Sequence, residues 1–467
     1  MTAVMTPVTV FDGKRVALFG LGGSGLVSAD ALRAGGAEVA VWDDKEPARE
    51  KAAAAGHEVL DLSRADWSQF RALILAPGVP LTHPKSHWTV EKARVAGIEI
   101  IGDIELFCRE RRHIAPKSPF IAITGTNGKS TTTALIAHLF RFFGHEVAVG
   151  GNIGTPILAL PPPSPERVHV IECSSFQIDL APTLDPSVGI LLNITPDHLD
   201  RHGTMENYAE IKERLVQGAD HAVIGLDDVP CVAIAGRLRA RGKPLTCISN
   251  TFMELLDGIT LDGTRLVRHD HGVALTIADL AGIASLRGRH NGQNAAAAVA
   301  ALEGEGRDLD RVRRGLASFP GLAHRLEEVG RLGKTLFVND SKATNADAAE
   351  KALLSFDNIY WILGGKAKAG GIEPLKPLFG KIAKGYLIGE ATEAFAATIE
   401  EAFPIERCGT LDVAVAAAAR DAAKSTADPV VLLSPACASY DQFPDFEKRG
   451  DYFRTLARAI IDGTTGN

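Results

Sequence analysis

Residues 120–136 read FIAITGTNGKSTTTALI, and their sense decides the fold. The apolar run with Phe120, Ile121 and Ile123 predicts a strand. Leu135, Ile136, Leu139, Phe140 and Phe143 recur at helical spacing, and Gly144 marks a stop. Between them stands Gly125-Thr126-Asn127-Gly128-Lys129-Ser130. A strand, a glycine loop and a helix in that order make a phosphate cradle. Glycines let the backbone approach phosphate oxygens, and the new helix turns its N–H groups and positive dipole end toward them. Lys129 adds a full charge, and Ser130 offers a hydroxyl to Mg²⁺. An ordinary glycine turn with a surface lysine would not need that setting. The usual phosphate loop has four residues between its glycines. This one has two, which sets it apart from the common ATPases and GTPases.

Two further strands of the same stretch carry polar residues at their ends. One runs over 168–171 and ends at Glu172, in HVIECSSFQ; the other runs over 188–193 and leads to Asp197-His198, in LLNITPDHLDRHG. In a parallel sheet the carboxyl ends of strands gather at the ligand crevice. A glutamate and a histidine delivered there suit a divalent metal at a triphosphate.

The chain on either side alternates strands and helices, which predicts parallel sheets. Strands are expected at 14–19, 38–42, 72–75 and 98–101, with a helix near 87–96 and a charged, proline-bearing linker at 109–119. Gly20-x-Gly22-x-x-Gly25 follows the first strand, and Asp43 lies 18 residues beyond Gly25. Alone, that is a dinucleotide fingerprint with Asp43 on a ribose hydroxyl, and it fits an NAD-dependent oxidoreductase. The same geometry holds any nucleotide diphosphate, including a UDP-linked substrate. The central stretch is expected to add strands at 146–149 and 221–224, short strands over 246–277 and a helix at 291–302. In the last stretch, strands are expected at 335–339, 359–363, 385–388 and 429–433, and helices at 346–354, 393–402, 411–424 and 452–461. Three polar loops follow its strands: NDSKATN (339–345), LGGKAKAGG (363–371) and SPACASYDQF (434–443). Loops of this kind on one sheet edge make a ligand face, with Lys342 and Lys368 as cations for an anionic substrate. Lys212, in MENYAEIKERLVQGA, reads on pattern alone as a solvated lysine.

At 467 residues, with 46% apolar and 23% charged residues, the chain can build about three cored domains. We expect them at 1–112, 113–321 and 322–467. The net charge of −7 and the lack of a basic run weigh against nucleic acid. The six cysteines are scattered, without a Cys-x-x-Cys pair, as suits a reducing cytoplasm rather than a disulfide framework. Neither a signal peptide nor a membrane span is expected.

The motifs taken together resemble the Mur ligases. They are GTNGKS (125–130), ECSSFQ (172–177), NITPDH (193–198), His290-Asn291-x-x-Asn294, His324-Arg325, NDSKATN and SPACAS (434–439). The resemblance spans the chain, and the two-residue gap between the loop glycines is that family's form. It implies an α/β fold of three domains: a Rossmann-like N-terminal domain for the UDP substrate, a central P-loop-type ATP-binding domain with a mostly parallel sheet, and a Rossmann-like C-terminal domain for the amino acid. It implies ATP-dependent amide-bond formation through an acyl phosphate, in cytoplasmic peptidoglycan precursor synthesis, by a monomer. SPACASYDQF, with Phe446 beyond it, and GDIELF (102–107) point to D-glutamate as the amino acid and UDP-N-acetylmuramoyl-L-alanine as the acceptor. L-glutamate or a folyl acceptor is the alternative within the family, and a non-catalytic nucleotide sensor is the alternative outside it.

Roles carry over from the resemblance position by position. Gly125 to Ser130 and Thr131 would bind ATP, with Asn291, Asn294, Arg325 and Asp340. Ser130, Glu172, His198 and a carbamate on Lys212 would hold two Mg²⁺. Lys129, His198, carbamylated Lys212 and Lys342 would serve catalysis. Ser24, Asp43, Gly78 and Asn152 would contact the UDP substrate, and Thr344, Lys368, Ser439 and Phe446 the D-glutamate. This sequence has Asp44 where a hydroxyl residue is usual and Tyr440 where an aliphatic one is, and Lys366 also lies where the pocket lysine is expected.

Overall fold

The computed structural model describes residues 5–302, 308–367 and 370–463. The chain divides into two compact units, Met1–Leu280 with Asn291–Ser318, and Ala281–His290 with Phe319–Asn467. The first unit contains two sheets and the second contains one.

The first sheet joins β1 (Arg15–Phe19), β2 (Glu38–Trp42), β3 (Glu58–Val59), β4 (Ala72–Leu75) and β5 (Glu99–Ile101) in the order β3-β2-β1-β4-β5. All its pairings are parallel, as in the nucleotide-binding half of a doubly wound fold. The second sheet begins with β6 (Phe120–Thr124), β7 (Glu146–Gly151), β8 (Arg167–Glu172), β9 (Val188–Leu191), β10 (His221–Gly225) and β11 (Leu245–Ile248). It continues with β12 (Asp257–Asp262), β13 (Arg265–Asp270) and β14 (Val273–Asp279), giving the order β14-β13-β12-β11-β10-β9-β6-β8-β7. Its last two strands pair antiparallel, and the rest is parallel. The phosphate-loop strand β6 therefore lies between β8 and β9. That placement brings the ends of the Glu172 strand and the Asn193 strand to either side of the loop.

The stretch 109–119 expected as a linker is corrected. Helix Asp103–Ile114 occupies its first half. Ile104, Phe107 and Cys108 are buried in a core continuous with both sheets of the unit. The Phe107 ring meets Phe120 edge-on at 5.3 Å and His169 at 5.0 Å. The charges that made this segment look like a linker are satisfied. Glu105 accepts from Arg109 Nε (2.8 Å) and from Thr183 N and Oγ1 (2.9 and 2.6 Å). Glu110 accepts from Thr9 N (2.7 Å), and Arg111 donates to Asp185 (3.0 Å).

In the second unit, β15 (Glu327–Leu332), β16 (Thr335–Asn339), β17 (Ile359–Gly364), β18 (Ile382–Ile388), β19 (Ile405–Gly409) and β20 (Val430–Leu433) order as β15-β16-β20-β17-β18-β19. Only β15 runs antiparallel to its neighbour. Both edge strands, β15 and β19, escaped sequence expectation, because edge strands lack a fully apolar run: neither contains a buried residue. The final helix spans Phe446–Ile461, starting before the expected 452 because Asp445 caps it through Lys448 N at 2.6 Å. Among the described residues no helix is long and apolar enough to cross a membrane.

Phe107 is fully buried at the junction of both sheets of the first unit. Phe107→Ala is expected to cost about 3–5 kcal/mol, read as a lower urea midpoint. The exposed Val95 supplies the control, since Val95→Ala should stay within about 0.5 kcal/mol.

Candidate active site

The phosphate loop leaves β6 with Gly128 at φ +84°, the N-cap of helix Lys129–Phe142. A Cβ there would lie 2.4 Å from Asn294 Oδ1, so both backbone angle and space demand glycine. Lys129 curls back over the loop, its Nζ donating to Gly125 O and Thr126 O at 2.9 Å each. Ser130 is buried in the first turn and Thr131 follows it. Thr132 Oγ1 donates to Asn294 Oδ1 (3.1 Å), whose amide donates to Asn291 Oδ1 (2.9 Å). Asn291 and Asn294 are therefore brought against the loop helix, although the sequence separates them from it by more than 150 residues.

Glu172 ends β8 beside Ile123 of β6 and is 2% exposed. Its Oε1 accepts from Asn152 Nδ2 at 2.8 Å, while its Oε2 has no hydrogen-bond partner among the described residues. A buried, unpaired carboxylate oxygen beside a phosphate loop fits an oxygen-seeking cation such as Mg²⁺. Asn152, expected at the UDP substrate, thus also orients Glu172. His198 is exposed at φ +52°, with its Nε2 3.4 Å from Asp197 and its ring 5.0 Å from Phe176. Among the described residues, no group of three or more His, Cys, Asp or Glu side chains is placed to hold a metal.

Lys212 overturns its pattern reading: it is 1% exposed, not solvated. Its Nζ donates to Gly125 O (2.9 Å) and Thr124 Oγ1 (3.2 Å) and lies 4.8 Å from the Tyr208 ring centroid. Burial, and then the charge of Lys129, hold its amine well below the usual lysine range. A signal was present in the sequence. Lys212 falls with Tyr208, Ile211, Leu215 and Val216 on the buried face of helix Met205–Gly218.

Sequence reasoning did not single out His202 or Arg201. His202 is buried, its Nε2 2.9 Å from Ser175 Oγ and its Nδ1 without a partner among the described residues, and burial pushes it down to about 4. Its ring stacks on Phe176 at 18°. Arg201 lies 4.6 Å from the centroid of the same Phe176 ring and donates to Gly78 O (3.1 Å) and Pro77 O (3.4 Å). Gly78 is therefore tied to the His198 segment through its carbonyl.

In the first sheet, Asp43 accepts from Leu21 N (2.7 Å) and Lys45 N (2.9 Å). Its two oxygens brace the glycine loop against the turn after β2. Ser24 lies in the first turn of helix Gly23–Ala34, where Ser28 Oγ donates to its carbonyl at 2.9 Å. A Cβ on Gly25 would lie 1.8 Å from Gly20 O, which accounts for the last glycine of that loop. Asp44 Oδ2 sits 3.2 Å from His87 Nε2.

In the second unit the three polar loops meet at the carboxyl ends of β16, β17 and β20. Lys366 and Ala438 form an antiparallel bridge between two of them. Arg449, 1% exposed and missed by sequence reasoning, joins two: Nε and Nη2 donate to Ser341 Oγ and O (2.9 and 2.8 Å), and Nη1 to Cys437 O (3.2 Å). Arg325 stands between His324 (φ +63°) and Leu326 (φ +46°), both left-handed. That turn is tied down by Lys342 N to His324 O (3.0 Å) and Leu326 N to Asp340 Oδ1 (3.2 Å). Asp340 also accepts from Ser434 Oγ at 2.8 Å. Lys342 Nζ lies 3.7 Å from the Phe446 ring centroid, and Thr344 N donates to Lys342 O at 2.8 Å. Ser439 is buried at the turn where its carbonyl accepts from Phe443 N at 2.8 Å. Lys368 lies outside the described residues.

Comparison with known proteins adds family models and relatives to this geometry. Residues 123–302 match the Mur ligase middle domain, and 324–437 match the Mur ligase, glutamate ligase domain. The chain is 60% identical to UDP-N-acetylmuramoylalanine–D-glutamate ligase of Mesorhizobium japonicum, over 98% of each chain. It is 61% identical to the protein of that name in Nitrobacter hamburgensis, again over 98% of each. Among solved structures, UDP-N-acetylmuramate-alanine ligase of Thermotoga maritima superposes with a TM-score of 0.56, over 96% of this chain and 99% of that one. At 16% identity that likeness concerns the fold alone.

Asp340 allows a test of the loop junction through pH. Burial raises its carboxyl to about 7, against the opposing pull of Ser434, Leu326 and Arg325. The unfolded chain ionises this group near the ordinary 3.8, so the folded state loses stability as pH rises between the two values. Asp340→Asn removes the ionisation. Its melting temperature, relative to the unaltered chain, should therefore climb from about pH 4 to about pH 7; parallel curves would refute the assignment.

Proposed function

The chain belongs to the Mur ligase family, and from that premise we propose that it joins D-glutamate to UDP-N-acetylmuramoyl-L-alanine in an ATP-dependent step of peptidoglycan precursor synthesis. The observation that carries this is identity of about 60% to D-glutamate ligases along 98% of the chain, amino-acid loops included. ATP phosphorylates the alanyl carboxylate, the D-glutamate amine attacks the acyl phosphate, and phosphate leaves as the amide forms. The substrates are nucleotides and an amino acid, which agrees with a cytoplasmic site of action.

Both partners of the first step are anions, so the chief barrier is charge. Lys129 releases its two loop carbonyls and turns to the transferring phosphoryl group. The helix it opens presents its positive end to the same oxygens. Ser130, Glu172 through its oxygen unpaired among the described residues, and His198 would hold Mg²⁺, which would supply further neutralisation of the triphosphate. Asn291, Asn294, Arg325 and Asp340 bind the nucleotide, and Lys342 stabilises the charge that develops as the amine attacks. Ser24, Asp43, Gly78 and Asn152 bind the UDP substrate. Thr344, Ser439, Phe446 and Lys368 bind D-glutamate.

Lys212 takes a second role, supported by its burial and lowered basicity. A neutral amine attacks CO₂ and loses a proton, leaving a carbamate anion on Nζ. That anion would make Lys212 an anionic oxygen ligand for a second Mg²⁺.

Turnover is tested by ADP release with UDP-N-acetylmuramoyl-L-alanine, Mg²⁺ and a panel of amino acids. D-glutamate should give ADP and a product one glutamyl unit heavier. Release with L-glutamate, or with a folyl acceptor instead, would sink the assignment. Lys212→Ala should lower kcat by about 10³, with partial recovery on adding a short-chain carboxylate. Full activity without it would remove the carbamate.

A further inference from the structure

We propose that Gln293 is a positioning residue for the ATP phosphate loop. It would set the loop's conformation through a one-directional chain of hydrogen bonds that starts at Asp227. This rests on the loop being the ATP site. Gln293 lies between Asn291 and Asn294 and carries no role in the motif they form.

The chain begins at an acceptor with no choice. Asp227 follows β10, and its carboxylate can only accept. Gln293 Nε2 donates to Asp227 Oδ2 at 2.6 Å. The other end of the same amide, Oε1, must then face away from Asp227, where it accepts from Asn193 Nδ2 at 3.1 Å. That fixes the Asn193 amide in turn, so its Oδ1 faces the loop and accepts from Asn127 N at 2.8 Å. Asn193 also receives Thr126 N on its carbonyl at 2.9 Å and donates to Asn127 O at 3.2 Å. Three of the hydrogen bonds that shape the loop's middle are thus made by one asparagine, whose amide one glutamine orients.

The surroundings hold the chain in place. Asp227 is anchored on its far side by Ser249 Oγ (2.6 Å) and Asn250 N (3.0 Å). The next residue, Asp228, accepts from Ile194 N (3.0 Å) and so fixes the turn that carries Asn193. Gln293 is buried, and the last residue of β10 is Gly225, where a Cβ would lie 2.9 Å from Gln293 Nε2 and 2.0 Å from Leu192 O. A buried amide satisfied at both ends is costly to break, because the polar groups it leaves are cut off from water. The same helix carries Asn294 to the loop helix, so nucleotide-facing residues and loop geometry share one support.

The test uses the full chain and ADP as probe. Gln293→Leu breaks both bonds and should raise the KM for ATP and the calorimetric Kd for ADP about tenfold. The KM values for D-glutamate and the UDP substrate should stay within about twofold. Gln293→Glu keeps the shape but sets a second carboxylate against Asp227, and should impair ADP binding at least as much. Adding Asp227→Asn restores a donor–acceptor pair of the right polarity, and ADP affinity should return to within about threefold of the unaltered chain. The isosteric pair keeps the test alive if the leucine variant fails to fold. Unchanged ADP affinity in Gln293→Glu, or no recovery in the double variant, overturns the positioning role. ADP binding that responds as stated in a protein without D-glutamate-dependent turnover would overturn the proposed reaction and leave the relay standing.

Discussion

One carbonyl oxygen, that of Gly125, accepts two lysines, Lys129 and Lys212, each at 2.9 Å. Two ammonium groups on one acceptor repel unless an anion joins them or one of them is neutral. Lys212 is the one that burial drives toward neutrality, and Lys129, part-exposed, is the one that can swing to a phosphate. The difference in burial sets the two apart: a cation partly open to solvent, and a buried amine of lowered basicity.

The loop keeps that geometry because polar straps reach it from the end of one neighbouring strand and from two helices. Asn193 holds it from β9, Tyr208 OH lies 3.2 Å from Thr126 Oγ1, and Asn294 closes on Gly128 and Thr132. A loop shortened by two residues has less chain to shape itself and depends more on such bonds from outside. The second unit uses the same device, with buried Arg449 and Asp340 pinning loops whose own sequence is small and polar.

Much of this was legible along the chain. Strand and helix periodicity located the phosphate loop, and the carboxyl end of β8 placed Glu172 beside it; after β9 the sequence pointed to His198, whereas Asn193 is the residue that bonds the loop. Asn291, Asn294 and Lys342 lie in short motifs that the family resemblance picked out. Other features were hidden for physical reasons. A buried lysine, a buried arginine and a stacked histidine carry the residue types of a solvated surface, and only their neighbours reveal otherwise. The half of helix Asp103–Ile114 that lies in 109–119 read as a linker because a charge there, Arg111, is paired with a residue more than 70 positions away.

By itself the sequence determined the periodicities, the glycines where a Cβ would collide, and the motif set that marks a Mur ligase. Those are local or additive properties, written in residue order. Tertiary structure alone decided which polar groups are satisfied and which are left to bind something. It lowered the basicity of Lys212, left one oxygen of Glu172 unpaired among the described residues, and aligned Asp227, Gln293, Asn193 and Asn127 in one polar chain. Desolvation and hydrogen-bond satisfaction depend on every atom around a group, and those atoms come from segments distant in the chain.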